Sequence, residues 1–261
     1  ADPIHSDLIS SPSSPQGMAA FSSRGPCQDG RIKPDLVAPG TDVISARSRV
    51  SINTGWGRVT GNSNYVYWGG TRMASPLAAG AAGLARQWLM TAGGITNPSA
   101  ALLKALLING ARNMAPGQYG TGATQEIPDV RPNNVQGFGH VDLFNTLQPA
   151  TNQFLDLYDT YSLSTGQTNV FALTLDAACT NPFILTMAYS DYWAEYVAGT
   201  KLVNDLDLTV QKPSGGFLYP NGRADADATN NVEMLEFVPD EVGTYTVRVV
   251  GRSLPMGGSQ D

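Results

Sequence analysis

Charged residues are scarce in this sequence, and basic residues are the scarcer kind. Only 15% of the 261 residues are Asp, Glu, Lys or Arg, and 16 basic residues stand against 22 acidic ones, which gives a net charge of −6. The basic residues are scattered singly along the chain. A protein that binds nucleic acid needs a basic patch or stripe to neutralise phosphates. The composition therefore excludes nucleic acid as an expected partner.

Cysteine and histidine are also rare. The two cysteines, Cys27 and Cys179, lie far apart and lack the spacing of a metal site. Neither a disulfide framework nor a zinc site is expected from them, although a single bridge between the two stays open. The two histidines are His5, in a Ser- and Pro-rich segment, and His140. We interpret both as structural or surface residues.

The sequence shows neither a leader peptide nor a membrane span. No charged segment followed by an apolar one opens the chain, so no signal peptide is expected in it. The most apolar stretch runs from Met73 to Met90 and would form a helix of about 27 Å, nearly long enough to cross a bilayer. It consists mainly of alanine and glycine and carries Arg86 and Gln87. We predict a helix that is buried in protein.

A strand, a glycine turn and a helix follow one another in the first half of the chain. Tyr65 to Trp68 form an apolar strand, two glycines break it, and a helix is predicted from Met73 to Thr91. Such a turn exposes one side chain and directs helix N-terminal amides at it, which suits a hydrolase nucleophile beside an oxyanion site. The side chain at this turn is Arg72, which has no lone pair for attack.

Three segments, in this order along the chain, resemble the subtilisin-like serine proteases (subtilases): Ala20–Gly25, Lys33–Gly40 and Gly69–Pro76. In that family the third of these segments carries the catalytic serine, at the position of Arg72. The resemblance implies an α/β fold with a parallel sheet covered by helices. It further implies that residues 1–150 are the C-terminal part of a subtilisin-like catalytic domain, so that the chain is a portion of a longer protein.

The resemblance also assigns positions around the turn. Five residues would border the leaving-group side of the old cleft, unless they only preserve the turn: Phe21, Trp68, Gly69, Thr71 and Met73. Subtilases carry their catalytic Asp and His well upstream of the serine, and the 71 residues that precede Arg72 contain neither motif. We therefore expect no functional catalytic residue in this chain.

Two functions stay open on these grounds. The first is a pseudoprotease or inactive fragment that is retained as a binding or structural unit. The second is part of a serine endopeptidase, which hydrolyses peptide bonds with an Asp/His/Ser triad, whose upstream half lies outside this chain and whose serine is replaced. The resemblance implies an extracellular or secretory location. Because the Met73–Met90 helix alone would expose a large apolar area, we expect another polypeptide, most simply the upstream half, to cover it.

From about residue 151 the pattern changes to alternation of apolar and polar residues. Three alternating runs are separated by glycine-containing turns: 171–175, 206–210 and 245–249. Short alternating strands predict an antiparallel sandwich or jelly roll. The segment Leu202–Leu208 resembles the C-terminal β-barrel domain of one branch of bacterial alkaline subtilases. We therefore expect residues 151–261 to form an all-β jelly-roll or β-barrel domain, with an adhesion or carbohydrate-binding module as a weaker alternative.

Acidic residues in the second half suggest a cation site. Asp205 and Asp207 lie two apart on one strand face, and Asp191, Asp225 and Asp227 are candidates to join them. Carboxylate oxygens are the ligands that calcium prefers, and the resembled barrels bind calcium. We therefore predict calcium at Asp191, Asp205 and Asp207. The alternative is a polar strand face that simply points toward solvent.

Overall fold

The first half of the chain is built from a small sheet and three helices. The computed structural model describes residues 17–148 and 153–260, so His5 lies outside the described residues. The strands are β1 (Val43–Ala46), β2 (Gly57–Arg58) and β3 (Tyr65–Trp68), with β3 in the centre of the sheet. The helices are α1 (Thr71–Thr91), α2 (Ala100–Asn109) and α3 (Leu143–Leu147).

Parallel pairing is almost missing from this half, and the predicted parallel sheet is corrected accordingly. Both β1 and β2 run antiparallel to β3. Within residues 17–148 the parallel contact is one isolated bridge, between Val37 and His140. Short strands joined by loops without a crossover helix pair antiparallel, and the resemblance places the central parallel strands of the family upstream of this region.

Helix α1 confirms the predicted helix and extends it by two residues at its start. Its buried side chains are Ala81, Ala85 and Leu89, spaced so that they form one stripe. The helix is exposed away from this stripe, with Leu84 at 51% and Met90 at 45% exposure. In the described structure the helix is therefore packed on one side only, although its composition is apolar nearly all round.

Helix α2 is fixed by a cap and by its leucines. The Ser99 hydroxyl accepts a hydrogen bond from the Leu102 backbone N–H at 2.9 Å, as the Asn97-Pro98-Ser99 sequence predicts. Leu102, Leu106 and Leu107 pack against the buried stripe of α1. This contact forms the core of the first half.

The second half is all-β and antiparallel, as the alternating pattern predicts. Its strands are β4 (Thr168–Leu175), β5 (Phe183–Ala188), β6 (Asp205–Gln211), β7 (Phe217–Leu218), β8 (Val232–Phe237) and β9 (Gly243–Ser253). One sheet has the order β4-β9-β6-β7, and the other pairs β5 with β8. Side chains from both sheets share one core, centred on Leu208, Val210, Leu235, Tyr245 and Val247.

The two sheets do not close into a barrel. Strand β7 contains two residues and pairs only with the end of β6, and β5 and β8 form a separate pair. The described residues therefore support an antiparallel β fold, and the jelly-roll assignment stays a prediction.

Polar contacts join the two halves of the chain. The Asn109 side-chain amide at the end of α2 donates to the Ile184 carbonyl of β5 at 2.8 Å. The Arg131 guanidinium, which is almost fully buried, pairs with Glu236 on β8 at 2.7 Å. Cys27 and Cys179 are both free thiols, so no bridge links the halves.

Candidate functional site at the start of α1

The turn between β3 and α1 is held by backbone hydrogen bonds. Gly70 has a φ of 136°, a conformation that favours glycine, and its N–H donates to the Gly40 carbonyl at 2.7 Å. The Met73 N–H donates back to the Gly70 carbonyl at 2.9 Å. The Lys33–Gly40 segment therefore lies directly against the turn, which brings together two of the three segments that carry the family resemblance.

Arg72 is the second residue of α1 and is exposed to solvent. Among residues 17–148 and 153–260 its guanidinium has no hydrogen bond or ion pair. The first turn of α1 contains no acidic residue, and no side chain caps it. A positive charge at a helix N-terminus is opposed by the helix dipole. Helix stability therefore does not explain an arginine at this position.

The predicted cleft residues are joined by a tryptophan that sequence reasoning missed. Trp68, Gly69 and Met73 are half-buried, and Thr71 is exposed. The Trp56 indole lies against Gly69, where an added Cβ would overlap the ring. Its centroid is also 6.5 Å from that of Phe21, edge to face.

The position of Trp56 follows from a backbone contact. Its N–H donates to the Tyr67 carbonyl of β3 at 2.8 Å. The flanking glycines, Gly55 and Gly57, both adopt positive φ. The Gly-Trp-Gly sequence at 55–57 is the signal that could have identified a turn presenting an aromatic ring. Trp56 thus connects Phe21 to Gly69 in the glycine turn. Phe21, Trp56 and Gly69 together form one surface beside Arg72.

His140 is the one histidine among residues 17–148 and 153–260. His140 lies in a backbone ladder, where it pairs with Arg112 and bridges to Val37. Burial, together with the nearby Arg112 charge, lowers its pKa. Its backbone role and partial burial agree with the interpretation of His140 as a structural residue.

The three predicted calcium ligands are engaged in different ways. Asp191 accepts hydrogen bonds from the backbone N–H groups of Tyr192, Val203 and Asn204 at 2.7–2.8 Å, which organises the entrance to β6. Asp207 is 2% exposed and accepts a charged hydrogen bond from Arg252 at 2.7 Å. The alternative of a solvent-facing polar strand is therefore wrong for Asp207.

Asp205 is the least satisfied of the three. Burial and the neighbouring charge of Asp207 raise the pKa of the Asp205 carboxyl to about 6. One oxygen each of Asp205 and Asp207 is buried with no hydrogen-bond partner.

The other two candidates do not add ligands. Asp225 pairs with Arg223, and buried Asp227 accepts from backbone and side-chain amides, including both amides of Asn230. In the part of the chain that the structure describes, no group of three or more His, Cys, Asp or Glu side chains is placed to hold a metal ion. Calcium at Asp191, Asp205 and Asp207 stays a prediction.

Comparison with known proteins defines the class. The subtilase family matches residues 9–139, which include the glycine turn and all three resembling segments. The match covers half of the chain, and the chain belongs to the subtilase family.

Several curated relatives are similar to the chain. The serine protease/ABC transporter B family protein tagB of Dictyostelium discoideum is 30% identical over 92% of this chain. The serine protease AprX of Bacillus subtilis is 39% identical over 41% of it, and the C5a peptidase of Streptococcus pyogenes is 39% identical over 26%. The chain spans 16% of tagB and 24% of AprX, so it corresponds to a minor part of these relatives. None of the helices described here has the length and apolarity that a membrane span requires.

Proposed function

We propose that this chain is a non-catalytic unit of the subtilase family, a pseudoprotease that acts in binding or as a structural element. The observation that carries the proposal is Arg72 at the first turn of α1. Arginine keeps its proton and has no lone pair for attack. Loss of the nucleophile from a serine-protease triad costs on the order of a millionfold in rate. The long cationic side chain also occupies space beside the turn, where a scissile carbonyl would have to sit.

The surface beside the turn gives this unit a means to bind peptide. Phe21, Trp56 and Gly69 form a continuous aromatic and backbone surface. A rigid aromatic ring offers contact area at a low cost in conformational entropy. We propose that an extended peptide lies across these residues without being cleaved.

Binding without turnover tests this proposal. A fluorescent peptide library is titrated against the chain by anisotropy, and bound peptides are checked for cleavage by mass spectrometry. Trp56→Ala should weaken the binding, whereas Trp193→Ala is the matched control, because Trp193 is 77% exposed and lies in the β half. Cleavage of bound peptide, or binding that Trp56→Ala leaves unchanged, would contradict the proposal.

A second candidate is part of an active serine endopeptidase whose upstream half supplies Asp and His. The names of the relatives, which include serine protease, favour this class. Under this hypothesis, Arg72 is the one substituted catalytic position in an otherwise complete Asp/His/Ser triad. The sequence upstream of this chain separates the candidates: intact Asp and His motifs favour the protease, and degenerate ones favour the pseudoprotease.

We also propose that another polypeptide covers the exposed side of α1. Leu84 and Met90 are 51% and 45% exposed there. The upstream part of the same protein is the simplest cover. The isolated chain should bind a hydrophobic dye, and coexpression with the upstream segment should abolish this binding. A lack of dye binding by the isolated chain, together with a well-dispersed NMR spectrum, would contradict the proposal.

An extracellular or secretory location is part of the same proposal, by analogy with the bacterial members of the family. Fractionation of cells that express the tagged full-length protein tests it. Recovery in the medium or in secretory membranes is expected, and recovery only in the cytosol would contradict it.

A further inference from the structure

Three strand edges in the β half are satisfied by side chains. Strand β6 extends past β7, and its outward backbone would be open at Leu206 and Leu208. The Tyr189 hydroxyl lies 3.4 Å from the Leu206 N–H and donates to the Asn204 carbonyl, while the buried Glu233 carboxylate accepts from the Leu208 N–H at 2.6 Å. A side chain of β8 and one that directly follows β5 therefore replace a missing neighbouring strand along β6.

The second sheet is protected at both of its edges. On the outer side of β8, Asn221 exchanges hydrogen bonds with Met234 through its backbone N–H and its side-chain oxygen. Its side-chain amide also donates to the Val232 carbonyl. On the outer side of β5, Asn109 donates to the Ile184 carbonyl, as described above. Natural proteins guard sheet edges in this manner against unwanted pairing.

Strand β4 is an exception. It is eight residues long, pairs with β9 in unbroken register and contains no charged residue, no proline and no bulge. The Gly251 N–H donates to the Gln167 carbonyl. This bond fixes which backbone groups of β4 point toward β9, because their direction alternates from one residue to the next. Backbone groups at the odd positions 169–175 therefore face β9, and those of Thr168, Val170, Ala172 and Thr174 face outward. No backbone group among residues 17–148 or 153–260 bonds to this outer side.

Apolar side chains accompany the open edge. The side chain of Val170 is 58% exposed and lies on the face of the sheet that points away from the core. Tyr158 and Tyr161, each about half exposed, pack on Phe171 with ring centroids at 4.5 and 5.8 Å. Tyrosine is enriched among the central residues of protein interfaces.

We propose that β4 pairs antiparallel with β4 of a second copy of this chain, which joins the two four-stranded sheets into one continuous sheet. A two-fold axis at Phe171 places Thr168 opposite Thr174 of the partner and Val170 opposite Ala172 of the partner. These are the positions whose backbone groups face outward, so each pair forms two hydrogen bonds.

The sequence of β4 favours a second copy over another strand. In the two-fold register the cross-strand pairs are Thr168 with Thr174 and Val170 with Ala172. A Thr–Thr pair stabilises an antiparallel ladder through its hydroxyl groups, and the Val–Ala pair brings no charge or bulky clash. Although the chain carries a net charge of −6, β4 contains no charge, so two copies meet there without repulsion between charged side chains in the strand. The two aromatic clusters, each of Tyr158, Tyr161 and Phe171, meet around the axis and bury their exposed edges.

Sedimentation velocity of the chain and three variants tests the proposal. Val170→Lys places a charge on the open edge. Val238→Lys is the matched control, because Val238 is 56% exposed and lies beyond the end of β8. Leu84→Lys removes any association through α1. Wild type, Val238→Lys and Leu84→Lys should be dimers, whereas Val170→Lys should raise the dimer dissociation constant about tenfold or more.

Two further measurements keep the result decisive. The N–H of Ala172 faces outward, so Ala172→Pro should dissociate the dimer without unfolding the monomer. The far-UV circular dichroism spectrum and the melting curve of this variant should be those of a folded protein. Amide exchange at Val170 and Ala172 should slow as the protein concentration rises. A monomeric wild type at about 100 μM, or a dimer that neither Val170→Lys nor Ala172→Pro weakens, would overturn the proposal.

Discussion

The indole ring of Trp56 lies against Gly69 and leaves no space for a Cβ at that position. Gly69 has no positive φ that would require glycine, in contrast to Gly70. The glycine at 69 is therefore explained by the ring and not by the backbone.

The contact between Trp56 and Gly69 predicts non-additive mutations. Gly69→Ala should destabilise the protein by about 1–3 kcal/mol, because the added methyl group forces the indole or the turn to move. In a Trp56→Ala background the same change should cost little. Chemical denaturation of the four proteins of this cycle measures the coupling, and additive effects would mean that the ring does not determine the glycine.

The hydroxyl of Tyr189 predicts a second loss of stability. Tyr189→Phe removes the group that serves both the Asn204 carbonyl and the Leu206 N–H. Because these backbone groups are buried and have no strand beside them, the loss should cost about 1–3 kcal/mol of unfolding free energy.

Tyr192→Phe is the matched control for this prediction, because Tyr192 is 41% exposed. Urea unfolding of both variants compares the two losses. Equally small losses of stability in both variants would mean that water replaces the Tyr189 hydroxyl as hydrogen-bond partner of the β6 backbone.

The prediction of calcium at Asp191, Asp205 and Asp207 has a direct thermal test. Two of these carboxylates have a buried oxygen without a partner, and a cation would relieve both. Excess calcium should raise the melting temperature of the wild type, and a chelator should lower it. Asp205→Asn should remove the response, whereas Asp225→Asn, at an exposed position, should keep it. A wild-type melting temperature that responds to neither calcium nor chelator would contradict the prediction.

His140 predicts a pH dependence of stability. Its folded pKa lies below the ordinary value of 6.5, so the unfolded chain binds more protons in the interval between the two values. The contribution of His140 to stability is therefore complete above pH 6.5 and is lost as the pH falls through that interval. His140→Gln should flatten the slope of unfolding free energy against pH below 6.5. An unchanged slope would show that His140 titrates alike in the folded and unfolded chains.

Local sequence signals predicted the elements but not how they are completed. The strand Tyr65–Trp68, the helix after it and the Ser99 cap follow from residue pattern, and all three are present. The parallel sheet was expected from the family resemblance and not from local pattern, and the strands of the first half instead pair antiparallel. Parallel pairing requires strands that are distant in sequence, which local pattern does not report. The alternation of apolar and polar residues predicted an antiparallel β fold for the second half. It could not show that β7 ends after two residues.

The position of the glycine turn could be predicted from the sequence, but the side-chain contacts around it could not. Motif spacing located the glycine turn and Arg72. The Gly-Trp-Gly sequence indicates a turn that presents Trp56, but the contact of its ring with Gly69 is made by tertiary packing and is not visible in that local pattern. Asp207 was assigned either to a metal or to solvent, whereas its main partner is Arg252 on the neighbouring strand. Such long-range pairs depend on strand register, which the sequence does not display.

Hydrolysis by the full-length protein tests the central claim most directly. Wild type, Arg72→Ser and Arg72→Ala are assayed with a peptide substrate library and with an active-site reagent for serine proteases. The proposed pseudoprotease predicts no hydrolysis and no labelling by all three proteins, because a serine at position 72 alone does not supply the base and its orienting acid. Hydrolysis by the wild type, or its appearance in Arg72→Ser but not in Arg72→Ala, would contradict the claim.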